Sequence, residues 1–146
     1  MSNRLTALLK GYFPHVLDWF PDPRTILVCD FLTRWPTLEA VKRAHRKTLE
    51  QFFHAHNSNR QETVQRRIMS IKESLPLVTD QGVIKSSALL AVAYATQMKV
   101  LIEAIKGFDR EIEQICAQHQ DYQLFASLPG SGRVYASRLL AAFGSR

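Results

Sequence analysis

Apolar residues recur along this chain in steps of three and four, and almost never in steps of two. Leu5, Leu8, Leu9 and Tyr12 fall at i, i+3, i+4 and i+7, which predicts a helix over residues 2–12. Val16, Leu17, Trp19 and Phe20 mark a short helix or turn over residues 14–20. Asp22-Pro23 reads as an N-cap followed by proline at the first helical position, opening a helix to about residue 34. Trp35-Pro36 resets the chain, and Thr37 caps a helix reaching about residue 47. Thr48 with Gln51, and Ser58 with Gln61, read as capping boxes for two further helices, ending near residues 56 and 75. Pro76 stops the second of these, and residues 77–82 read as a linker.

Beyond Gly82 the pattern lengthens. Ile84, Ala88, Ala91, Ala95, Met98, Ile102, Ile105, Asp109, Ile112, Cys116 and His119 step by four and three without a slip, an a/d seam over residues 84–119. Leu101, Phe108 and Ile115 widen it. Such a helix would be roughly 54 Å long at 1.5 Å per residue, more than a small domain buries from end to end. Part of it is therefore expected to meet a second copy. Ala91, Ala95, Met98, Ile102, Ile105 and Ile112 are the expected dimer contacts, with small residues permitting close approach and Asp109 fixing register. The competing reading is a core helix of a bundle built with the chain's own N-terminal helices. Gly107 weakens the helix by roughly 1 kcal/mol relative to alanine.

A last pair of helices flanks Leu128-Pro129-Gly130-Ser131-Gly132. Leu124, Phe125 and Leu128 give the first an apolar face, and Pro129 ends it. Ala136, Leu139, Leu140 and Phe143 give the second its face. Gly130 and Gly132 permit backbone angles closed to other residues and leave the main chain open to a ligand. Free N–H groups at the start of the second helix make an anion site. The fold is thus read as all-α: an N-terminal helical segment, a long coiled-coil helix and a C-terminal helix-hairpin-helix. The expected divisions are residues 1–76, 77–120 and 121–146.

Charge sharpens the picture. The formal net charge is +6, and residues 1–76 carry twelve Lys/Arg against seven Asp/Glu. Lys42, Arg43, Arg46 and Lys47 fall on one expected helix as i, i+4 pairs of like charge, an arrangement that suits an anionic partner. Arg66 and Arg67, with Arg60, form a second cluster. Gly130, Ser131, Gly132, Arg133 and Arg138 complete the expected nucleic-acid contacts. For each cluster the plain alternative is a solvated helix face.

Other chemistry was sought without success. His54 and His56 are two apart, so on a helix they diverge, and a solvated helix end is expected in place of a metal site. Acidic residues are scattered, and Ser127, Ser131 and Ser137 have no neighbouring base, so no catalytic residue is assigned. No cofactor is expected in this chain. Cys29 and Cys116 read as reduced core thiols of a cytoplasmic protein. No apolar run approaches the roughly 18 residues of a membrane span, and the start lacks a signal-peptide core, so no membrane contact is expected.

Taken in order, these landmarks resemble a transposase of the IS-one-ten/IS-eleven-eleven insertion-sequence family. The phrase from Asn3 through Leu8-Leu9-Lys10-Gly11-Tyr12-Phe13 to Pro14 resembles the segment after that family's RuvC-like nuclease domain. The heptad helix resembles its coiled coil, and Leu128-Pro129-Gly130-Ser131-Gly132 with Ala136 and Leu140 resembles the opening of its C-terminal transposase domain. The resemblance implies DNA as a partner, with a structured guide RNA as a further one, and a homodimer through the coiled coil. It places the family's nuclease carboxylates, which take divalent metal, before Met1, and its serine nucleophile after Arg146. The chain is then expected to be the middle of a longer enzyme, inactive alone. Ser131 stands where such hairpins usually carry Ile or Val. Rival readings are a coiled-coil structural adaptor that binds no nucleic acid, and a small accessory protein of DNA repair or recombination.

Overall fold

The computed structural model describes residues 2–144, and of Arg133 its backbone alone. Among the described residues the structure is all-α, with nine helices and no strand. They are α1 (Ser2–Tyr12), α2 (His15–Trp19), α3 (Ile26–Arg34), α4 (Leu38–Arg43), α5 (Arg46–Ala55), α6 (Gln61–Glu73), α7 (Gln81–Ala117), α8 (Tyr122–Ala126) and α9 (Gly132–Phe143). The chain forms two compact units, one up to Val100 and one from Leu101 onward, dividing inside α7.

The first unit is organised around aromatic side chains. Phe31 on α3 is fully buried, with ring centroids 5.0 Å from Phe20, 5.4 Å from Trp35 and 6.1 Å from Trp19. Trp35 meets Phe52 of α5 edge-on at 5.0 Å. Each such pair adds about 0.5–1.5 kcal/mol beyond area burial. Leu5 and Leu9 of α1 are buried on the face that the periodicity picked out, and Leu49 of α5 and Ile68 of α6 are buried as well.

Three expected helix starts move. Thr25, not Asp22, caps α3, its hydroxyl accepting from the Val28 N–H at 3.3 Å. Asp22 instead accepts from the Arg24 N–H at 2.9 Å, a local turn that delays the helix. Thr48 lies inside α5, whose N-cap is His45, and the N-cap of α6 is Arg60 rather than Ser58. Thr37 does cap α4, accepting from Ala40 at 3.2 Å.

The expected helix from Thr37 to about residue 47 is broken in two. Ala44 and His45 are extended, with ψ of 139° and 146°, between α4 and α5. Long-range bonds hold this break. Lys72 Nζ donates to the carbonyls of Lys42 and Ala44, both at 2.6 Å, and Lys42 Nζ donates to the carbonyl of Ser74 at 2.6 Å. The C-terminal ends of α4 and α6 are thereby capped, each by a lysine of the other helix.

The two halves of α7 differ. Ala88, Ala91, Ala95 and Met98 are buried in the first unit, and Lys99 Nζ lies 2.7 Å from Asp30 Oδ1 on α3. Ala91, Ala95 and Met98 are therefore core residues of their own chain, as the bundle reading had it, and not exposed dimer contacts. By length and composition α7 is apolar enough to cross a membrane. The expectation that no apolar run approaches a membrane span is corrected by this helix, whose apolar stretch is punctuated by Thr96, Gln97, Lys99 and Glu103.

In the second unit, Tyr122 of α8 packs with Ala136 and Leu140 of α9, and Cys116 and Phe125 lie against them. Leu101, Ile105, Phe108, Ile112 and Ile115 remain exposed along α7 at steps of four, three, four and three.

Candidate nucleic-acid interface

The turn between α8 and α9 follows from its sequence. The Ser131 N–H donates to the Leu128 carbonyl at 3.1 Å, closing a four-residue turn with Pro129 and Gly130 at its centre. Gly130 has φ of +77°, the left-handed value that a Pro-Gly type II turn requires at its third position. Gly132, the first residue of α9, has φ of +42°. A Cβ at either glycine would meet nothing within 4 Å, so both face open space. As the first residue of its helix, Gly132 has an N–H with no intrahelical acceptor.

Ser131 points the other way. It is 6% exposed, and its hydroxyl donates to the Ala126 carbonyl at 3.3 Å. Both the hydroxyl and the N–H of Ser131 are thus engaged within the turn itself, on carbonyls of Ala126 and Leu128. The side chain of Arg133 lies outside the described residues. Arg138 is exposed, its guanidinium 5.8 Å from the Tyr135 ring centroid. It stands six residues into α9, roughly 9 Å along the axis from Gly132. It lines a groove of about 410 Å³ that also carries Asp109 and Glu113 of α7. Arg110 lines the same groove, so cations and carboxylates alternate there.

The two basic clusters come apart in the folded first unit. Lys42 and Arg43 end α4 while Arg46 and Lys47 begin α5, so the expected i, i+4 like-charge pairs do not form. Lys42 is held by the Ser74 carbonyl. Arg43 pairs with Glu39, and Arg46 pairs with Glu50 at 3.2 Å while donating to Gln65. Arg67 is half-buried against aromatic rings. Its Nε donates to the Trp19 carbonyl at 3.0 Å, and its guanidinium lies 4.8 Å from the Phe20 ring centroid and 5.3 Å from that of Phe53. Burial holds this guanidinium below its ordinary pKa, and Arg66 adds to the effect. Lys47 and Arg66 remain exposed. Arg60 is exposed as well, so outside these pairings the first cluster leaves Lys47 open to solvent and the second leaves Arg60 and Arg66.

A polar network absent from the sequence reading ties the first unit together. Asp30 Oδ2 lies 2.9 Å from His56 Nε2 and Oδ1 lies 2.7 Å from Lys99 Nζ. His56 is 18% exposed in its side chain, and its Nδ1 lies 2.8 Å from the Phe52 carbonyl. It is a bridging group, not the solvated helix end expected. Burial alone would raise the Asp30 pKa, but the bonds from Lys99 and His56 outweigh it and hold the carboxyl below its ordinary range. Residues 26 and 69 positions distant in sequence supply these bonds, and no local motif signals them.

The divalent metal that the transposase resemblance implies needs converging carboxylates. Among the described residues no three His, Cys, Asp or Glu side chains converge. No family model, no curated protein and no solved structure matches this chain.

Proposed function

We propose that this chain is a nucleic-acid-binding and self-associating segment of an insertion-sequence transposase, acting in DNA transposition. The observation that carries the reading is the hairpin turn. Gly130 and Gly132 hold left-handed backbone angles, face open space and lead into the N-terminus of α9, which suits a phosphate of one DNA or RNA strand. Lys47, Arg66 and Arg138 are exposed and add sequence-independent phosphate contacts. Self-association is supported by the stripe from Leu101 to Ile115, in which Ile105 is 57% and Ile112 is 49% exposed. Ile102 is half-buried, whereas Ile105 and Ile112 are exposed together with Leu101, Phe108 and Ile115. Cleavage and rejoining are assigned to other parts of the parent enzyme.

Fluorescence anisotropy of labelled single- and double-stranded oligonucleotides, titrated between 50 and 200 mM salt, tests the reading. Non-specific binding with a dissociation constant on the order of 1–100 μM is expected. Three neutralised phosphates give a log–log salt slope of about −2 to −3, and Lys47→Gln, Arg66→Gln or Arg138→Gln each lowers it by about 0.7–0.9. Binding without salt dependence, or slopes untouched by all three changes, refutes nucleic-acid binding. The structural-adaptor reading then stands, favoured by the internal engagement of Lys42, Arg43, Arg46 and Arg67.

A further inference from the structure

The first unit contains a cleft of about 650 Å³ that the nucleic-acid reading does not use. It falls within the roughly 300–1,000 Å³ typical of small-molecule sites. Tyr12, Leu38, Pro76, Leu77, Val78 and Ile84 supply apolar surface, drawn from α1, α4, the segment after α6, and α7. Leu77 is 70% exposed at this wall, apolar area that a bound molecule would take out of water. His15 also lines the cleft, and its Nδ1 is buried without a hydrogen-bond partner, unlike every other buried side-chain nitrogen or oxygen among the described residues.

The charges around the cleft decide what fits. Lys42, Arg43 and Lys85 line it together with one carboxylate, Glu39. Glu39 neutralises Arg43, and Lys42 is held by the Ser74 carbonyl. The first N–H groups of α7 are also occupied, because Asp80 Oδ1 accepts from Gly82 at 2.8 Å and from Val83 at 3.1 Å. Lys85 alone among the lining cations is exposed with no hydrogen bond or ion pair. An apolar cleft with one uncommitted cation complements a molecule with an apolar body and a single negative charge. A nucleotide phosphate with its polar base matches it less well, since the walls are largely aliphatic and Tyr12 is buried with its hydroxyl donating to the Pro36 carbonyl at 2.9 Å. From this cleft and the free ammonium of Lys85 we infer a binding site for a medium-chain monocarboxylate, its chain along Leu38, Val78 and Ile84 and its head group at Lys85.

Isothermal titration calorimetry of the full chain with dodecanoate, kept below its micelle concentration, tests the site. Saturable binding at one molecule per chain is expected, while dodecyltrimethylammonium, of equal chain length and opposite charge, binds at least tenfold more weakly. Lys85→Glu should weaken dodecanoate at least tenfold and bring the cationic probe to comparable affinity. Leu77→Asp, at an exposed wall position, should also weaken dodecanoate at least tenfold with helix content unchanged by circular dichroism. Ile105→Asp, on the exposed stripe of α7, should leave it unaltered. Equal binding of the two head groups, indifference to both Lys85→Glu and Leu77→Asp, or loss on Ile105→Asp overturns the inference. So does adenosine monophosphate binding more tightly than dodecanoate in a Lys85-dependent manner.

Discussion

Replacing Asp30 by Asn should destabilise the first unit by about 2 kcal/mol. The carboxylate accepts from Lys99 at 2.7 Å and from His56 at 2.9 Å, and it is 27% exposed in its side chain. Hydrogen bonds to charged groups are worth about 1.5–3 kcal/mol each. Lys99 is 39% exposed, so solvent screens its share and the two bonds together fall well short of the upper sum. The amide of Asn keeps the shape and one acceptor, which retains part of one bond. A loss of about 2 kcal/mol lowers the melting temperature by roughly 8–16 °C for a unit of this size.

The same substitution has a pH signature. The folded Asp30 pKa lies below its unfolded value of about 3.9. The carboxylate's contribution is therefore fully present above that value and is lost as pH falls through the folded pKa. Urea unfolding followed by the fluorescence of buried Trp19 and Trp35 reads both quantities. As pH falls from 7 to 3 the gap between wild type and Asp30→Asn should begin to narrow once the pH passes below the unfolded value. Asp22 and Glu50 are also held below their ordinary range, and they cancel in this difference because both proteins carry them. A stability difference under about 0.5 kcal/mol at pH 7, or a gap that stays constant down to pH 3, would refute the bridging role of Asp30.

Two further predictions concern α7 and the crossed lysines. Ile105→Asp with Ile112→Asp should turn a self-associating chain into a monomer in sedimentation velocity, with helix content unchanged, because buried unpaired carboxylates oppose pairing; a wild type that stays monomeric at high micromolar concentration defeats the seam. Lys72→Met should cost about 1–3 kcal/mol, since it leaves the carbonyls of Lys42 and Ala44 without their donor, whereas Lys47→Gln should cost under about 0.5 kcal/mol. Equal effects in chemical denaturation would show that the crossed capping contributes nothing.

What the sequence made legible was local. The apolar face of α1, the Thr37 cap and the Pro129–Gly130 turn depend on residues within one or two turns of each other, and they stand where the pattern put them. The break between α4 and α5 was not legible, because the ammonium that fixes it belongs to Lys72, thirty residues further on. The basic cluster dissolved for the same reason, its members claimed by Ser74, Glu39, Glu50 and Gln65. Periodicity could not separate the two halves of α7 either. A residue at a seam position looks the same whether its partner is a neighbouring helix of the same chain or nothing. Ala95 and Ile112 continue one pattern and end with opposite exposure.

That division within α7 has a consequence for its backbone amides. Exchange with deuterated solvent reports the free energy of opening, which follows packing more closely than helical hydrogen bonding itself. Amides around Ala88 to Met98 should exchange only when the first unit opens, at a rate indifferent to protein concentration. Amides between Leu101 and Ile115 carry equivalent helical bonds under an uncovered apolar stripe, so they should exchange orders of magnitude faster in dilute protein. If copies pair through that stripe, raising the concentration slows exchange in this second stretch alone. One helix would then carry two clocks, one set by the chain's own fold and the other by how many neighbours it has.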